Sequence, residues 1–207
     1  MAADLARETN RTDIAVLGAG VIGLTTALVL QRAGAQVTVY AEAFPPDTTS
    51  NIAAASWYPT TLYRRTMVGE SFYGVLDHAS RRAFRRFQHL ANNPRYGVYW
   101  IRHHNLRNAA PAVQDHFPGG EGIFVGLRRN QEGHGPFGFT HWDAYYTLMI
   151  DPDIFLPSLI DDFISAGGKL VQQSFASVKD VEALKQRTIV NCTGLGARTL
   201  FNDTALI

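Results

Sequence analysis

The hydrophobic pattern from Asp13 to Glu42 predicts a strand, a helix and a second strand in close succession. Asp13 to Leu17 is a short apolar run of the kind found in a buried parallel strand. The segment from Val21 to Ala33 predicts a helix, and Gly34 suits the residue just after its end. Gln36 to Tyr40 is a second apolar run. This order is typical of an α/β unit with a parallel sheet.

A second periodic segment predicts a long helix from Glu70 to Asn92, which Asn93 and Pro94 end. Apolar side chains recur there every three or four residues and predict one buried stripe. The stripe consists of Phe72, Val75, Leu76, Ala79, Ala83, Phe84, Phe87 and Leu90. The arginines lie largely off this stripe, and we interpret them as a solvated face rather than a nucleic-acid patch. They are Arg81, Arg82, Arg85 and Arg86.

The remaining chain alternates between turn-rich and regular segments. Residues 105 to 139 are rich in Gly, Pro and Asn, which predicts a β-rich excursion away from the first unit. Asp151 and Pro152 suit the start of a helix that runs to about Ala166, where Gly167 and Gly168 close it. Further strands are expected at Gly97 to Arg102, Gly122 to Leu127, Lys169 to Gln173 and Arg187 to Cys192, with a short helix at Val178 to Gln186.

Composition narrows the class of protein. With 207 residues and 46% hydrophobic positions, the chain can bury a real core. A net charge of +1 without a charged tail argues against specific nucleic-acid binding. No apolar run is long enough to span a membrane, and the polar first residues do not form a secretory signal. The single cysteine, Cys192, excludes a disulfide framework and favours a reducing, cytoplasmic compartment. No base is placed beside it, so we interpret it as a buried, inert thiol.

Three glycines follow the first strand in G-x-G-x-x-G spacing. Gly18 permits a tight turn, Gly20 lets a pyrophosphate approach the backbone, and Gly23 lets the helix lie close to the sheet. The helix presents free N–H groups and its positive dipole end to the phosphates. Glu42, which lies 19 residues past Gly23, is placed to accept hydrogen bonds from ribose hydroxyls.

This pattern predicts a dinucleotide site and disfavours NADP, because the carboxylate of Glu42 would repel a 2′-phosphate. The pattern does not say which dinucleotide binds. Two alternatives stay open at this point. One is an NAD-binding module, and the other is an α/β unit whose glycines serve only packing.

A polar segment and a run of small residues follow the second strand. Thr48, Thr49, Ser50 and Asn51 are short polar side chains, and the small residues after them end at Trp57. Hydroxyls of this kind can bond phosphate or ribityl oxygens, and small side chains let a flat ring lie against the backbone. The alternative is a loop that caps a helix, with Thr49 or Ser50 as the N-cap.

The histidines do not indicate a metal site, because none shows H-x-x-x-H or H-E-x-x-H spacing with interleaved carboxylates. No nucleophile and base form a set that predicts covalent catalysis. We therefore predict neither metal ligands nor catalytic residues in this chain. The histidines considered are His103, His104, His116, His134 and His141.

Four motifs in this order, GAGVIGL, VYAEAF, TTSNIAAASWYP and NCTG, resemble the D-amino-acid oxidase family, which includes D-aspartate oxidases. The resemblance runs from about Asp13 to Arg198 and is strongest at its two ends. Three positions depart from the family pattern. Glu42 stands where an Asp is more usual, Ala43 where some members have Arg, and Ala55 and Ser56 where a Gly-Leu pair is common.

The resemblance implies FAD as cofactor and an α/β fold, in which a Rossmann-like FAD-binding domain carries an inserted α+β substrate domain. It implies an FAD-binding domain at residues 1–57 and 167–207, with the substrate domain at residues 58–166. A backbone group near Phe175 would meet the adenine. The cofactor-binding residues that it implies are Gly18, Ala19, Gly20, Val21, Ile22, Gly23, Glu42, Ala43, Thr48, Thr49, Ser50, Ala55, Ser56, Phe175, Thr193 and Gly194.

The implied activity is oxidative deamination of a D-amino acid by dioxygen, giving a keto acid, ammonia and hydrogen peroxide. In the family, the pocket tyrosines, the carboxylate-binding arginine and a second glycine-rich loop come after the stretch that ends here. We therefore expect a truncated member, incomplete at its C-terminus, with a missing half or a homodimer covering the open sheet edge. A full-length eukaryotic parent would be peroxisomal. The alternatives are a glycine- or sarcosine-type amine oxidase and a catalytically inactive dinucleotide-binding fragment.

Overall fold

The computed structural model describes residues 12–53, 56–59, 67–110 and 122–206 of the chain. The helices in those residues are α1 (Val21–Arg32), α2 (Glu70–Leu90), α3 (Pro152–Ser165), α4 (Val178–Glu182) and α5 (Ala197–Leu200). The strands are β1 (Asp13–Leu17), β2 (Gln36–Ala41), β3 (Val98–Arg107), β4 (Val125–Glu132), β5 (His141–Ile150), β6 (Lys169–Gln172) and β7 (Thr188–Asn191). A 3-10 turn at Thr49–Ile52 follows β2, and another at Gly194–Gly196 follows β7.

The chain divides into two compact units. The first combines the described residues up to Ala53 with those from Pro152 onward, and the second lies between Ala54 and Asp151. The sequence placed the boundaries at 57/58 and at 166/167 instead. Both units are mixed α and β, and the predicted α/β class with an inserted α+β segment is confirmed.

The first unit is built on a parallel sheet in the order β6-β2-β1-β7. The end of β1 lies between its two neighbours, since Leu17 pairs with Tyr40 of β2 and with Asn191 of β7. Strand β7 therefore enters the sheet directly beside the first strand, although about 170 residues separate them in sequence. The carboxyl ends of all four strands meet at one edge of the sheet.

The two central strands, β1 and β2, are apolar apart from Asp13, Gln36 and Thr38, because both faces of the sheet are covered. Ala15, Val16 and Leu17 are all fully buried. Helix α1 packs on β1 and β2. A cluster of Ala15, Leu17 and Tyr40 packs against Val181 of α4 and Leu200 of α5. The unbroken apolar run in the sequence reflects this double coverage.

Helix α3 belongs to the first unit, so the predicted boundary at 166/167 fell on the wrong side of it. The helix packs on α1, and the side-chain amide of Gln31 donates to the carbonyl oxygen of Phe163 at 3.1 Å. The ring of Phe163 is fully buried. The predicted glycine closure is present, because Gly167 has a φ of +84° and Gly168 donates to Phe163 at 2.9 Å.

The second unit contains an antiparallel sheet in the order β3-β5-β4. Strands β3 and β5 pair without interruption from Val98 with Ile150 to Arg107 with His141. Strand β3 is longer than the predicted Gly97 to Arg102, and the sequence did not locate β5. Strand β4 pairs with β5 with two register shifts, which is why its alternation is weak in the sequence.

The buried stripe of α2 differs from the predicted one at two positions. Leu76, Phe84 and Leu90 are buried as expected, whereas Val75 is 67% exposed and Ala79 is also exposed. Ser80 is buried instead. The buried line follows steps of four residues from position 76, and positions 75 and 79 lie about 100° away from it around the helix.

The arginine side of α2 faces water, as the sequence indicated. Arg82, Arg85 and Arg86 are exposed. The Nε atom of Arg81 contacts both carboxylate oxygens of Asp77 at 3.0 and 2.9 Å, one turn earlier. None of the helices in the described part of the chain is both long and apolar enough to cross a membrane.

The corrected stripe predicts unequal effects at two adjacent residues of α2. Leu76→Ala should lower the free energy of unfolding by about 2–5 kcal/mol, because it opens a cavity in the core. Val75→Ala should change it by less than about 0.5 kcal/mol, because that side chain faces water. Urea unfolding of the two variants measures both effects. A loss at position 75 as large as that at position 76 would favour the predicted stripe, which contains both residues, over the observed one.

Candidate functional site

The carboxyl edge of the parallel sheet forms a concave pocket of about 780 Å³ within the first unit. Four segments line it: the turn after β1, the end of β2 with the polar segment that follows, the loop after β6, and the loop after β7. Parallel strands end at the same edge of a sheet, and ligands of α/β folds bind at that edge. The pocket therefore lies where the sequence predicted a dinucleotide.

Two of the three motif glycines are required by packing. Gly18 has a φ of +105°, and a Cβ atom there would overlap the carbonyl oxygen of Cys192. A Cβ atom on Gly23 would overlap the carbonyl oxygen of Gly18. The turn is thus pressed between the start of α1 and the end of β7. Gly18 also lines the pocket through its backbone, whereas Gly23 is buried behind the turn.

Gly20 has a different neighbour. A Cβ atom on Gly20 would lie 2.9 Å from Oγ of Ser50, and the backbone N–H of Val21 donates to the same oxygen at 3.0 Å. The space in front of Gly20, where the sequence predicted the approach of a pyrophosphate, therefore holds a side chain of this protein. Ala19 and Ile22 line the pocket beside it.

Ser50 caps the N-terminus of α1 from a distant part of the chain. Gly20, the N-cap residue of that helix, has no side chain to do so. The hydroxyl accepts from Val21 and still has its own proton to donate. The hydroxyl could donate that proton to a phosphate oxygen in front of α1, so Ser50 can contact both the helix and an anion.

The polar segment around Ser50 is held by side-chain hydrogen bonds. Thr48 Oγ1 donates to Oδ1 of Asn51 at 2.8 Å, and the Asn51 amide donates to Asp153 of α3 at 3.4 Å. Thr48, not Thr49 or Ser50, is the N-cap residue of the 3-10 turn. The sequence offered Thr49 or Ser50 as the N-cap of a helix that follows them. Ser50 does cap a helix, but that helix is α1 and not the turn that contains Ser50.

Glu42 and Ala43 lie where the sequence placed them, at the mouth of the pocket after β2. The Glu42 side chain is exposed, and its backbone carbonyl accepts from the side chain of Gln172 at 3.2 Å. Gln173 donates to the carbonyl of Ala41 at 2.9 Å. These bonds fix the backbone of the acid, and its side chain stays exposed beside the pocket.

Phe175 also lines the pocket, and it packs edge-on against Tyr40 with ring centroids 6.1 Å apart. The hydroxyl of Tyr40 donates to Oε1 of Gln186 at 3.3 Å in a buried position. Sequence reasoning assigned no role to Tyr40 or Gln186. The sequence did contain a signal for this bond. A tyrosine near the end of a buried strand needs a hydrogen-bond partner for its hydroxyl.

The loop after β7 closes the other side of the pocket. Both the backbone N–H and the hydroxyl of Thr193 donate to Oδ1 of Asn191, at 3.1 and 2.7 Å. Gly194 has a φ of +56°, and both Thr193 and Gly194 line the pocket. Burial raises the pKa of the Cys192 thiol, and a hydrogen bond with Thr26 only partly offsets this. The raised pKa agrees with an inert thiol, but Cys192 is half-buried and lines the pocket, whereas the sequence predicted that it would be buried.

Three predicted site residues in the described part of the chain, Val21, Gly23 and Ser56, do not line this pocket. Ala55 lies outside the described residues. Ser56 belongs to the second unit, where it forms a bridge with Met149. Among the described residues, no group of three or more His, Cys, Asp or Glu side chains lies close enough to hold a metal ion. His116 lies outside that part of the chain.

The chain belongs to the DAO family, described as FAD dependent oxidoreductase, whose model matches residues 13–206. A D-amino-acid oxidase of Dictyostelium discoideum is 28% identical over 95% of this chain and 54% of its own length. One from Rubrobacter xylanophilus is 32% identical over 92% of this chain and 55% of its own length. A human D-aspartate oxidase is 28% identical over 93% of this chain and 56% of its own length.

The chain therefore spans about half the length of the curated relatives that it matches. Among solved structures, glycine oxidase from Geobacillus kaustophilus has a TM-score of 0.65 at 16% identity, covering 94% of this chain and 58% of that one. L-amino acid deaminase from Proteus vulgaris has a TM-score of 0.53 at 14% identity, covering 77% and 39%. These likenesses show the fold. The family resemblance seen in the sequence motifs is confirmed, and FAD is the cofactor of this family.

The capping contact predicts that Ser50→Ala lowers the free energy of unfolding of the ligand-free chain by about 0.5–2 kcal/mol, as loss of an N-cap does. Ser50→Thr keeps the hydroxyl and should retain most of the stability. Urea unfolding, followed by circular dichroism with and without saturating ADP, measures both. The deficit of Ser50→Ala should shrink with ADP, because a phosphate oxygen then accepts from Val21.

A deficit that ADP leaves unchanged would contradict the placing of a phosphate at the start of α1. A Ser50→Ala variant as stable as the original chain would contradict the cap itself.

Proposed function

We propose that this chain is part of an FAD-dependent oxidase that acts on D-amino acids. The observation that carries the proposal is the convergence in one pocket of the glycine turn, the Ser50 hydroxyl and the acid after β2. Two segments far apart in sequence build that pocket, and the family model covers both of them. The curated D-amino-acid oxidases, at 28% and 32% identity, support the substrate class.

The residues of the pocket fit the dinucleotide part of FAD. A Cβ atom on Gly20 would crowd the Ser50 hydroxyl, which accepts from the N–H of Val21, so the start of α1 presents a hydroxyl beside a backbone without a side chain. We propose that the pyrophosphate lies there, that Glu42 accepts hydrogen bonds from a ribose, and that the adenine lies against the backbone near Phe175. The Tyr40 ring behind Phe175 would keep that wall in place.

The cofactor, when bound, would provide the chemistry, because its flavin can accept a hydride from the Cα of the substrate. The amino acid loses two electrons and two protons to become an imino acid, and dioxygen takes up two electrons and two protons to become hydrogen peroxide. Water then converts the imino acid to a keto acid and ammonia. The described residues of this chain bind and orient the cofactor. None of them has to act as a nucleophile or a general base for that role.

We propose that the second unit is the substrate domain, and that the substrates are a D-amino acid and dioxygen. The inserted position of this unit between two halves of the dinucleotide-binding unit supports that assignment. A homodimer, or the half of the relatives' length that this chain does not span, would complete the assembly. The motif TTSNIAAASWYP favours a D-amino-acid oxidase over a glycine- or sarcosine-type amine oxidase, the enzymatic alternative.

The proposal is tested by expressing the chain, purifying it by gel filtration and recording its visible absorption. Flavin absorption that bleaches on anaerobic addition of D-alanine or D-aspartate, and not of glycine or L-alanine, is the expected result for an active chain. Flavin that binds but is bleached by glycine alone would favour the glycine-oxidase alternative. A chain that takes up no FAD on reconstitution would overturn the proposal for this chain.

The position of Glu42 predicts a loss of FAD affinity on substitution. Glu42→Ala should weaken binding roughly 10- to 100-fold, because hydrogen bonds from ribose hydroxyls to a charged acceptor contribute about 1.5–3 kcal/mol. Glu42→Asp should weaken it less, since the carboxylate is kept. Titration of the apo chain with FAD measures the affinity. Glu132→Ala, at an exposed acid of the second unit, is the matched control and should bind FAD as the original chain does.

A further inference from the structure

The tyrosine near the end of β2 belongs both to the pocket and to the core of the first unit. Tyr40 lines the pocket, yet only 7% of its surface is exposed. It shares a cluster of buried side chains with Ala15 and Leu17 of β1, Val181 of α4 and Leu200 of α5. An unpaired hydroxyl among such apolar side chains is destabilising, so the phenol needs a partner inside the protein.

Gln186 supplies that partner. The phenol donates to Oε1 of Gln186 at 3.3 Å, and because a side-chain carbonyl oxygen can only accept, Tyr40 is the donor. Gln186 lies in the segment between α4 and β7 and is itself only 5% exposed. Glutamine is seldom buried to this degree, and the bond to Tyr40 accounts for its position. The Tyr40 side chain is thus fixed at both ends, by its Cα atom in β2 and by its hydroxyl.

The ring fixed in this way supports one wall of the pocket. Phe175 lines the pocket and meets Tyr40 edge-on, with centroids 6.1 Å apart and ring planes at 68°. This geometry depends on the orientation of both rings, so the place of Phe175 depends on how Tyr40 is held. Gln186 does not line the pocket and acts on its wall only through these two rings.

The backbone of Tyr40 supports a different part of the pocket. Its carbonyl oxygen accepts from the N–H of Gly18 at 2.7 Å, which joins β2 to the glycine turn. The parallel pairing of Tyr40 with Leu17 holds this main-chain bond in register. The bond to Gly18 therefore does not depend on the hydroxyl of Tyr40. Loss of the side-chain bond should disturb the wall at Phe175 and leave the glycine turn in place.

We propose that Gln186 is a positioning residue for the adenine end of the pocket, which it holds through Tyr40 and Phe175. The inference rests on the proposed function, in which the adenine lies near Phe175 and the pyrophosphate lies at the glycine turn. A wall that is ordered before the ligand arrives reduces the side-chain freedom that is lost on binding. Gln186 therefore strengthens the binding of the base and not that of the phosphates.

Two probes separate the ends of the pocket: ADP, which carries the base, and inorganic pyrophosphate, which does not. Gln186→Leu keeps a side chain of similar size and removes the acceptor. It should lower the affinity of the full chain for ADP roughly 3- to 10-fold, the effect of about one neutral hydrogen bond. Its affinity for pyrophosphate should stay unchanged. Titration calorimetry measures both affinities. Gln36→Leu, at an exposed glutamine of β2, is the matched control and should change neither.

Two further variants test whether Gln186 acts through Tyr40. Tyr40→Phe removes the donor, and the double variant Tyr40→Phe with Gln186→Leu removes both partners. All three variants lack the same bond, so each should lose the same factor in ADP affinity, and the losses should not multiply in the double variant. The double variant leaves neither partner of this bond unpaired, so it should unfold no more readily than Gln186→Leu. It gives the answer even where Gln186→Leu fails to fold.

Three results would overturn the inference. The first is an ADP affinity that the double variant and Gln186→Leu retain. The second is an equal loss of affinity for ADP and pyrophosphate, which would mean that Gln186 supports the fold of the whole unit and not one end of the pocket. The third is a pair of losses at positions 40 and 186 that multiply in the double variant, because independent effects would then explain them.

FAD uptake, measured separately, distinguishes this inference from the proposed function. A chain whose ADP affinity depends on Gln186 but that takes up no FAD supports the positioning role and contradicts the flavoenzyme. A chain that takes up FAD equally well with and without Gln186→Leu contradicts the positioning role alone. A chain that binds neither ADP nor FAD overturns both.

Discussion

The close approach of the glycine turn to the end of β7 is the constraint on which the first unit depends. Gly18 and Cys192 come within a distance that leaves no room for a Cβ atom, and Gly23 lies equally close to Gly18. This contact joins two segments that the whole second unit separates in sequence. The pocket exists only where they meet, because each segment supplies one of its walls. The glycines are therefore needed to assemble the site before any phosphate is present.

Local signals were sufficient for the β1-α1-β2 unit because each of its parts follows from short-range physics. Double burial makes β1 uniformly apolar, and Gly34, with a φ of +94°, ends α1 where the sequence indicated. The same reasoning failed where packing against distant parts of the chain determines which residues are buried. Helix α2 buries Ser80 instead of Val75 because tertiary packing determines which side of the helix faces the core. The spacing of apolar residues alone does not reveal that side. Strand β5 was missed for a related reason, since His141, Asp143 and Thr147 interrupt its apolar pattern.

In the candidate site, too, short sequence motifs could be predicted, whereas contacts between distant residues could not. The glycine turn and the acid after β2 could be predicted from the sequence, because dinucleotide binding requires those residue types at that spacing. The cap that Ser50 provides for α1 was not readable, since it joins residues 29 positions apart and depends on how the polar segment folds back. The bond between Tyr40 and Gln186 spans 146 positions and was equally hidden. In both cases the sequence showed a polar group that needed a partner, and only the fold supplied it.

The polar groups around the pocket of the first unit are satisfied within the chain itself. In the first unit, the hydroxyls of Ser50, Tyr40 and Thr193 all have partners within the chain, so the pocket is organised before a ligand enters it. Preorganisation of this kind lets binding energy go into holding the ligand rather than into ordering the loop. A ligand that contacts both walls then stabilises the junction at Gly18 as well, because it binds the folded state alone.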